Sequence, residues 1–293
     1  MKITRRNVIK DIALGASAMV IAPKISFAKS FEEKKPGKLK GNINHSVCRW
    51  TFNYLSLDDL CKTVKDIGFS AIDLIKPVDW PTLQKHGIYC SMCYTNGENN
   101  LYKGLNDPAN HEHLIKEYLE VIPEMAKYNY KNLICFSGAR NGLDDETGMK
   151  NCAEALGKIL PVAEKHGVTM VMELLNSKID HKDYQCDHTA WGAQLCEKVN
   201  SENFKLLYDI YHMQIDEGDV IRTIKENHQY IAHYHTGGVP GRGEIDSTQE
   251  LNYPLIMKTI LDVGHKGFVA QEFIPKRADK LASLKQSIGI CDI

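Results

Sequence analysis

Short apolar runs alternate with longer amphipathic stretches along most of the chain. The runs have the length of buried β-strands and cover residues 43–48, 71–75, 88–93, 132–136, 169–172, 204–208, 230–234 and 267–270. Between them, apolar residues at helical spacing predict helices over 57–67, 111–128, 146–166, 189–199, 218–226, 253–263 and 280–288. The segment 79–86, between the second and third runs, has the weakest helical pattern. The chain therefore predicts eight strands alternating with helices.

Residues that begin and end helices stand at the expected places. Ser56 followed three residues later by Asp59 is typical of a capping box. Gly68, Gly167 and Gly264 each follow a predicted helix and precede a strand, where a glycine accepts the left-handed conformation of a helix end. These positions support the predicted boundaries.

Eight strand and helix units over residues 42–293 have the size and rhythm of a (β/α)8 TIM barrel, an α/β fold built as a single domain. An open, doubly wound parallel sheet is the competing fold. That fold commonly carries G-x-G-x-x-G or a P-loop after its first strand, and the sequence has neither motif there. The pattern favours the barrel.

The first 28 residues differ from the rest of the chain. Arg5 and Arg6 precede an apolar stretch over 12–22 and the small-residue site Ser26-Phe27-Ala28, an order that resembles a twin-arginine signal peptide. The apolar stretch is too short to span a membrane. We therefore expect segment 1–28 to be removed, 29–41 to be a linker, and the mature protein to be periplasmic and not membrane-anchored.

The charge and the cysteine content argue against a nucleic-acid-binding protein and against a disulfide-stabilised fold. The whole chain has a formal net charge of −1, and residues 1–28 carry five basic residues and one acidic residue, which leaves about −5 for the remainder. An acidic domain is a poor binder of nucleic acid. The nine cysteines are scattered and do not resemble a disulfide framework. Cys90 and Cys93 lie three apart in a predicted strand, which predicts that they face opposite sides.

Catalytic side chains of a TIM barrel lie at the carboxyl ends of its strands. Four consecutive predicted strands, the fifth to the eighth, end in polar residues: Glu173, Asp209, His235 and Glu272. Their spacings of 36, 26 and 37 positions each match about one strand and helix unit. The barrel therefore predicts that the four side chains converge.

Three converging carboxylates would repel one another unless a cation lay between them. Three oxygen ligands and one imidazole nitrogen suit a divalent metal ion of intermediate hardness, with Mn²⁺ favoured and Mg²⁺, Co²⁺ or Zn²⁺ also suitable. The sequence therefore predicts a site for one divalent metal ion.

The same residues carry a resemblance to a known family. The chain resembles the xylose-isomerase-like TIM-barrel superfamily, and within it the hydroxypyruvate isomerase branch and the related ketose 3-epimerases. The resemblance spans about residues 43–275 and rests on Glu173, Asp209-Ile-Tyr-His212, His233-Tyr-His235, Gly241-Arg242, Asn252-Tyr253-Pro254 and Glu272.

The resemblance implies a role for each of these side chains. Glu173, Asp209, His235 and Glu272 would hold the metal, and Glu173 and Glu272 would also act as the acid and base, with their order left open. His212 and Arg242 would bind substrate oxygens; the alternative for His212 is that it caps the sixth helix.

Hydroxypyruvate isomerases carry an amide residue where this chain has His235, whereas the epimerases carry histidine. That departure leaves the substrate open.

The expected function is a metal-dependent isomerase of a small keto acid or keto sugar, acting through an enediolate. A ketose 3-epimerase or a 3-keto-glycoside lyase would use the same site, and a non-catalytic sugar-binding barrel is a further alternative. A homo-oligomer is compatible with the sequence.

Several strand-end residues are candidates for the pocket wall. Trp50, Phe52 and Trp80 could lie against the substrate, and Lys76 could neutralise a carboxylate, although loop packing and solvation explain such residues equally well.

Overall fold

The structure, a computed structural model, describes residues 39–293. Its eight strands are all parallel and form a closed barrel in chain order, in which β8 pairs with β1. They are β1 (Asn44–Cys48), β2 (Ala71–Ile75), β3 (Tyr89–Cys93), β4 (Asn132–Cys135), β5 (Thr169–Glu173), β6 (Phe204–Asp209), β7 (Ile231–Thr236) and β8 (Phe268–Gln271). The predicted TIM barrel is confirmed, and each predicted strand lies within two residues of an observed one.

Helices occupy the segments between the strands. They are α1 (Leu57–Ile67), α2 (Trp80–His86), α3 (His111–Lys127), α4 (Asp145–His166), α5 (Thr189–Val199), α6 (Ile210–Asp216), α7 (Val220–Asn227), α8 (Tyr253–Asp262) and α9 (Lys280–Cys291). The helix α6 was not predicted, because it is only seven residues long and begins directly after a strand. The weak pattern over 79–86 corresponds to α2.

The predicted helix ends form as expected. The backbone N–H of Asp59 donates to Ser56 Oγ (3.1 Å), so Ser56 caps α1 as predicted. The Asp59 carboxylate accepts from the Ser56 hydroxyl (2.7 Å) and not from its backbone N–H as in a full capping box. Gly68 and Gly167 have φ angles of 116° and 63°, in the left-handed region that favours glycine. These glycines direct the chain from a helix into β2 and β5.

The strands are buried between the barrel interior and the surrounding helices, so their sequences are nearly continuous apolar runs. Two β-bulges interrupt the pairing of β2 with β3. Ile72 and Asp73 pair with Cys90 and Met92, which leaves Ser91 as an extra residue, and Leu74 is then the extra residue of β2. The bulges change which side chains of these strands point into the barrel.

One bulge explains a wrong prediction about cysteines. Cys90 and Cys93 are both buried, and their Sγ atoms lie 3.4 Å apart. The prediction of opposite faces assumed a regular strand, whereas the extra residue Ser91 breaks the alternation between them. All nine cysteines are free and buried.

The aromatic residue predicted for the pocket after β2 belongs to the core instead. Trp80 is buried and donates its indole N–H to the carbonyl oxygen of Ile75 (3.2 Å). Its ring packs edge-on against Tyr128 and Tyr130, at centroid distances of 5.2 and 5.3 Å. Trp80 therefore stabilises the packing of α2 on the barrel.

The predicted signal peptide, residues 1–28, lies outside the described residues, and so does most of the predicted linker 29–41; both stay predictions. Within the described part of the chain, none of the helices has the length and apolar character needed to cross a membrane.

Candidate metal centre

The four predicted ligands meet at the carboxyl end of the barrel. Glu173, Asp209 and His235 lie at or near the ends of β5, β6 and β7, and Glu272 directly follows β8. One potential ligand atom from each residue lies within 4.8 Å of the others, and all four residues are buried. The closed barrel thus brings together residues that are up to 99 positions apart in the sequence.

Asp209 has a different contact for each of its carboxylate oxygens. Its Oδ1 atom accepts hydrogen bonds from the backbone N–H groups of Tyr211 (2.8 Å) and His212 (3.2 Å), which caps the start of α6. Its Oδ2 atom accepts a hydrogen bond from Arg242 (3.0 Å) and faces the cluster. The cap fixes the side chain, and the Arg242 contact holds the second oxygen toward the site.

The two ring nitrogens of His235 lie in different surroundings. The Nε2 atom is 2.7 Å from Asp73 Oδ2. The Nδ1 atom faces the cluster, 2.7 Å from Glu272 Oε2 and 3.3 Å from Glu173 Oε1, yet it is buried and makes no hydrogen bond within residues 39–293. A buried nitrogen that lies beside two carboxylates and makes no hydrogen bond is suited to be a ligand of a cation.

The electrostatics of the cluster point the same way. Burial, together with the charges of Glu272 and Glu173, raises the pKa of Asp209 to about 7, despite Arg242 and His235. Burial and the Glu272 charge also raise the pKa of Glu173. Two of the three buried carboxylates therefore have raised pKa values, and a divalent cation among them would favour their ionised forms.

Arg242 lies directly beside the cluster. Its Nη2 atom donates to Asp209 Oδ2 and to Glu272 Oε2. Its guanidinium lies over the rings of Trp50 and Tyr211, with 5.4 and 5.3 Å to the centroids. These contacts on two sides hold the guanidinium in place at the cluster.

A hydrogen-bond chain fixes the proton of His212. Asn176 Oδ1 accepts from the backbone N–H groups of Ile179 and Asp180, so the other end of its side chain is the NH₂ group. That group donates to His212 Nδ1 (2.6 Å), which places the imidazole proton on Nε2. The Nε2 atom is buried, 3.6 Å from Asp209 Oδ2, and has no hydrogen-bond partner in the described chain.

Burial and the Arg242 charge hold the pKa of His212 well below its ordinary value, so the ring is neutral. His212 therefore presents one N–H donor toward the cluster. Asp209, and not His212, caps α6 with its side chain.

The other predicted pocket residues divide into two groups. Trp50 reaches the site, since its indole N–H donates to Glu272 Oε1 (2.7 Å) and its ring packs on Arg242. Phe52 is buried in the core, and Lys76 donates to the carbonyl oxygen of Gly97 (2.7 Å).

Two residues at the site were missed by the sequence analysis: Asp73 and Asn176. The sequence does contain a signal for Asp73, because a single carboxylate within the apolar run 71–75 indicates a buried polar group.

The fold and the site together define a class of protein. It is a closed (β/α)8 barrel that carries a buried cluster of three carboxylates and one histidine at its carboxyl end. A family model described as xylose isomerase-like TIM barrel matches residues 61–290. The chain belongs to this family.

Two of the curated relatives that match are isomerases by name. A 2-oxo-tetronate isomerase of Cupriavidus necator is 35% identical over 129 residues, which is 43% of this chain and 49% of the relative. A putative hydroxypyruvate isomerase of Homo sapiens is 33% identical over 128 residues, covering 44% of this chain and 45% of the relative. The matched region spans about half the length of these relatives.

Solved structures share the fold over nearly the whole barrel. An AP endonuclease of family 2 from Brucella melitensis superposes with a TM-score of 0.75 and 22% identity, covering 83% of this chain and 96% of that one. D-psicose 3-epimerase from Clostridium cellulolyticum, solved with D-tagatose, has a TM-score of 0.67 and 18% identity, covering 86% of this chain and all of that one. At these identities the likeness concerns the fold alone.

Proposed function

We propose that the protein is a divalent-metal-dependent isomerase of a small 2-oxo acid or keto sugar, similar to hydroxypyruvate isomerase, that acts through an enediolate. The observation that carries this proposal is the convergence of Glu173, Asp209, His235 and Glu272 within 4.8 Å, with His235 Nδ1 aimed unpartnered into the cluster.

These four side chains would hold the ion. Three carboxylates and one imidazole favour Mn²⁺, with Mg²⁺, Co²⁺ and Zn²⁺ as alternatives. A bound divalent cation would supply positive charge where negative charge develops on the two oxygens of an enediolate.

The surroundings of the two glutamates suggest how the proton moves. Both carboxylate oxygens of Glu272 accept hydrogen bonds, Oε1 from the Trp50 indole N–H (2.7 Å) and Oε2 from the Arg242 guanidinium. Glu173 has only His235 within ion-pair distance in the part of the chain that the structure describes. Glu173 is therefore the better group to take the proton from carbon, and Glu272 the group that stays ionised.

His212 and Arg242 would orient the substrate. The Nε2–H of His212 and the guanidinium of Arg242 both lie beside the carboxylate of Asp209, from which they can donate to oxygens of a substrate in the pocket. Donors already fixed in place lose little freedom when charge develops on those oxygens.

The relatives support a 2-oxo acid as the substrate. The two matched isomerases are named for hydroxypyruvate and 2-oxo-tetronate, and both molecules carry a carbonyl next to a carboxylate and a hydroxylated carbon. Transfer of a proton between the carbons of the carbonyl and the carbinol isomerises such a compound.

Ketose 3-epimerisation is the second candidate function. The imidazole of His235 at the ligand position favours it, because the resemblance assigns histidine there to the epimerases and an amide to the hydroxypyruvate isomerases. An epimerase would use the same two glutamates on opposite faces of one carbon.

The deciding experiment is incubation of the Mn²⁺-loaded protein in D₂O with hydroxypyruvate, ketoses and 3-keto-glycosides in turn. We expect deuterium at the carbon next to the carbonyl and formation of tartronate semialdehyde from hydroxypyruvate. A ketose epimer as the product would favour the second candidate, and release of the aglycone from a 3-keto-glycoside would indicate a lyase. Sugar binding without any exchange would indicate a non-catalytic barrel and overturn the proposal.

The variant Glu173→Gln tests the proposed base. An amide cannot accept the proton from carbon, so we expect deuterium exchange to fall by roughly 10²- to 10⁴-fold, the usual contribution of a general base. Glu202→Gln is the matched control, because Glu202 is 93% exposed and pairs only with Lys205 in the described chain. Exchange that persists in Glu173→Gln at the wild-type rate would remove Glu173 from this role.

A further inference from the structure

A second buried polar group lies next to the proposed ligands. Asp73, on β2, is fully buried. Its Oδ2 atom lies 2.7 Å from His235 Nε2 and 3.1 Å from His233 Nε2, both on β7, and its Oδ1 atom accepts a hydrogen bond from Ser91 Oγ (2.6 Å). These three partners come from strands on different sides of the barrel, and the thiol of Cys48, on β1, is a fourth and longer contact, 3.8 Å from Oδ2.

The bulges of β2 and β3 place this carboxylate. Ser91 is the extra residue of β3, and Leu74, directly after Asp73, is the extra residue of β2. Leu74 has a φ angle of 61°, a conformation that is unfavourable for a residue with a branched side chain. Such strain persists where the surrounding structure over-determines it, often at functional sites.

Hydrogen-bond geometry assigns the protons around Asp73. Its Oδ1 atom accepts from the Ser91 hydroxyl, and its Oδ2 atom lies within hydrogen-bond distance of the Nε2 atoms of His233 and His235. Carboxylate oxygens accept hydrogen bonds, so each Nε2 atom carries the proton that it donates to Oδ2.

We propose, on the basis of the proposed metal site, that Asp73 is a positioning residue: it holds His235 with its proton on Nε2, so that the Nδ1 lone pair faces the ion. The Nδ1 atom lies on the opposite side of the ring, beside Glu272 and Glu173. A carboxylate behind a histidine ligand fixes the ring and raises its basicity. Asp73 itself makes no contact with the four-residue ligand cluster other than through His235.

Asp73, His233 and His235 are also close enough to hold an ion of their own. The distances of 2.7 and 3.1 Å, however, are those of ordinary hydrogen bonds, and the Ser91 hydroxyl and the Cys48 thiol are the other donors. Hydrogen bonding therefore accounts for the group without a second ion, and the number of ions bound by the protein separates the two explanations.

The first test is Mn²⁺ binding to the full chain by isothermal titration calorimetry. We expect one ion per chain, and in Asp73→Asn an affinity lower by roughly 10- to 100-fold, the usual effect of removing such a support. His233→Gln is the matched control, because it keeps a donor toward Asp73 and leaves His235 unchanged; we expect near wild-type affinity. The proposal would be overturned if Asp73→Asn bound Mn²⁺ with the affinity of the wild type. It would also be overturned if the wild type bound two ions per chain and Asp73→Asn bound only one.

The second test needs no variant and therefore does not depend on whether Asp73→Asn folds. In Zn²⁺-loaded protein with ¹⁵N-labelled histidine, we expect the NMR spectrum to show the proton of His235 on Nε2 and the metal on Nδ1. A proton on Nδ1 would overturn the proposal.

The two hypotheses fail in different ways. Absence of metal binding and of deuterium exchange in the wild-type protein would refute the proposed function. Metal binding and exchange in the wild type, with unchanged affinity in Asp73→Asn, would refute only the role of Asp73.

Discussion

At the scale of single residues, the surroundings of each polar group decide what it can do. His212 and His235 are both buried histidines near Asp209, but their hydrogen-bond partners differ. Asn176 donates to His212 Nδ1 and leaves an N–H facing the cluster, whereas Asp73 accepts a hydrogen bond from His235 Nε2, which in our proposal leaves the Nδ1 lone pair facing the cluster. One imidazole is therefore suited to a substrate oxygen and the other to a cation.

This difference predicts the behaviour of His212→Phe. Phenylalanine keeps the ring packing against Tyr211 but removes the N–H donor. We expect kcat/KM to fall by roughly 10²-fold, as for loss of one fixed donor, with Mn²⁺ affinity unchanged. Steady-state kinetics and calorimetry measure the two effects.

The exposed His228→Phe serves as the control for His212→Phe and should match the wild type. If His212→Phe lost metal affinity in proportion to activity, His212 would be a ligand and not a substrate contact.

At the scale of elements, the loops at the carboxyl end of the barrel support one another. The loop after β3 lies along the end of β4, where Leu105 N–H donates to Phe136 O (3.0 Å) and Asn106 N–H donates to Ser137 O (2.8 Å). Gly104 allows this approach, because a Cβ atom there would lie only 2.2 Å from the backbone nitrogen of Gly138. The backbone at Gly138 cannot move aside as a flexible side chain could.

We therefore expect Gly104→Ala to reduce the free energy of unfolding by about 3 kcal/mol, at the upper end for an overpacked site. Gly157→Ala is the matched change on the exposed side of α4, where an added Cβ meets nothing within 4 Å. Alanine there should stabilise the helix by about 0.5–1 kcal/mol. Chemical denaturation measures both, and equal effects of the two changes would contradict the close approach at Gly104.

At the scale of the whole molecule, buried histidines make stability depend on pH. The Nε2 atom of His265, which precedes β8, is buried without a hydrogen-bond partner among residues 39–293. Burial, helped by the nearby charge of His233, lowers the pKa of His265 from 6.5 to about 4. As the pH falls from 6.5 to 4, the unfolded chain gains a proton that the folded protein does not take up, so folding loses stability in this range.

His265→Gln should remove this loss. Between pH 7 and pH 4.5 we expect the free energy of unfolding of the wild type to fall by roughly 2 kcal/mol more than that of His265→Gln. Urea denaturation at the two pH values measures the difference, with His228→Gln, an exposed histidine, as the control. An identical pH dependence in His265→Gln and wild type would contradict the assignment.

The sequence by itself determined the barrel and the identity of the four clustered residues. Strand and helix periods are local, so eight apolar runs and their spacing were enough to predict the elements and their order. Once the barrel is closed, residues at the ends of consecutive strands must converge, and for this reason Glu173, Asp209, His235 and Glu272 could be named together. The short helix α6 was missed because it begins directly after β6, with no loop between the two elements to mark its start.

Only the tertiary structure decided how the cluster is supported. Asp73 and His235 are 162 positions apart and meet across the barrel, and Trp50 reaches Glu272 over 222 positions. The bulges at Ser91 and Leu74 shift which side chains face inward, and the bulge at Ser91 also brings Cys90 and Cys93 together. A bulge depends on the register between two strands and not on either sequence alone, so these contacts could not be predicted from the pattern of the chain.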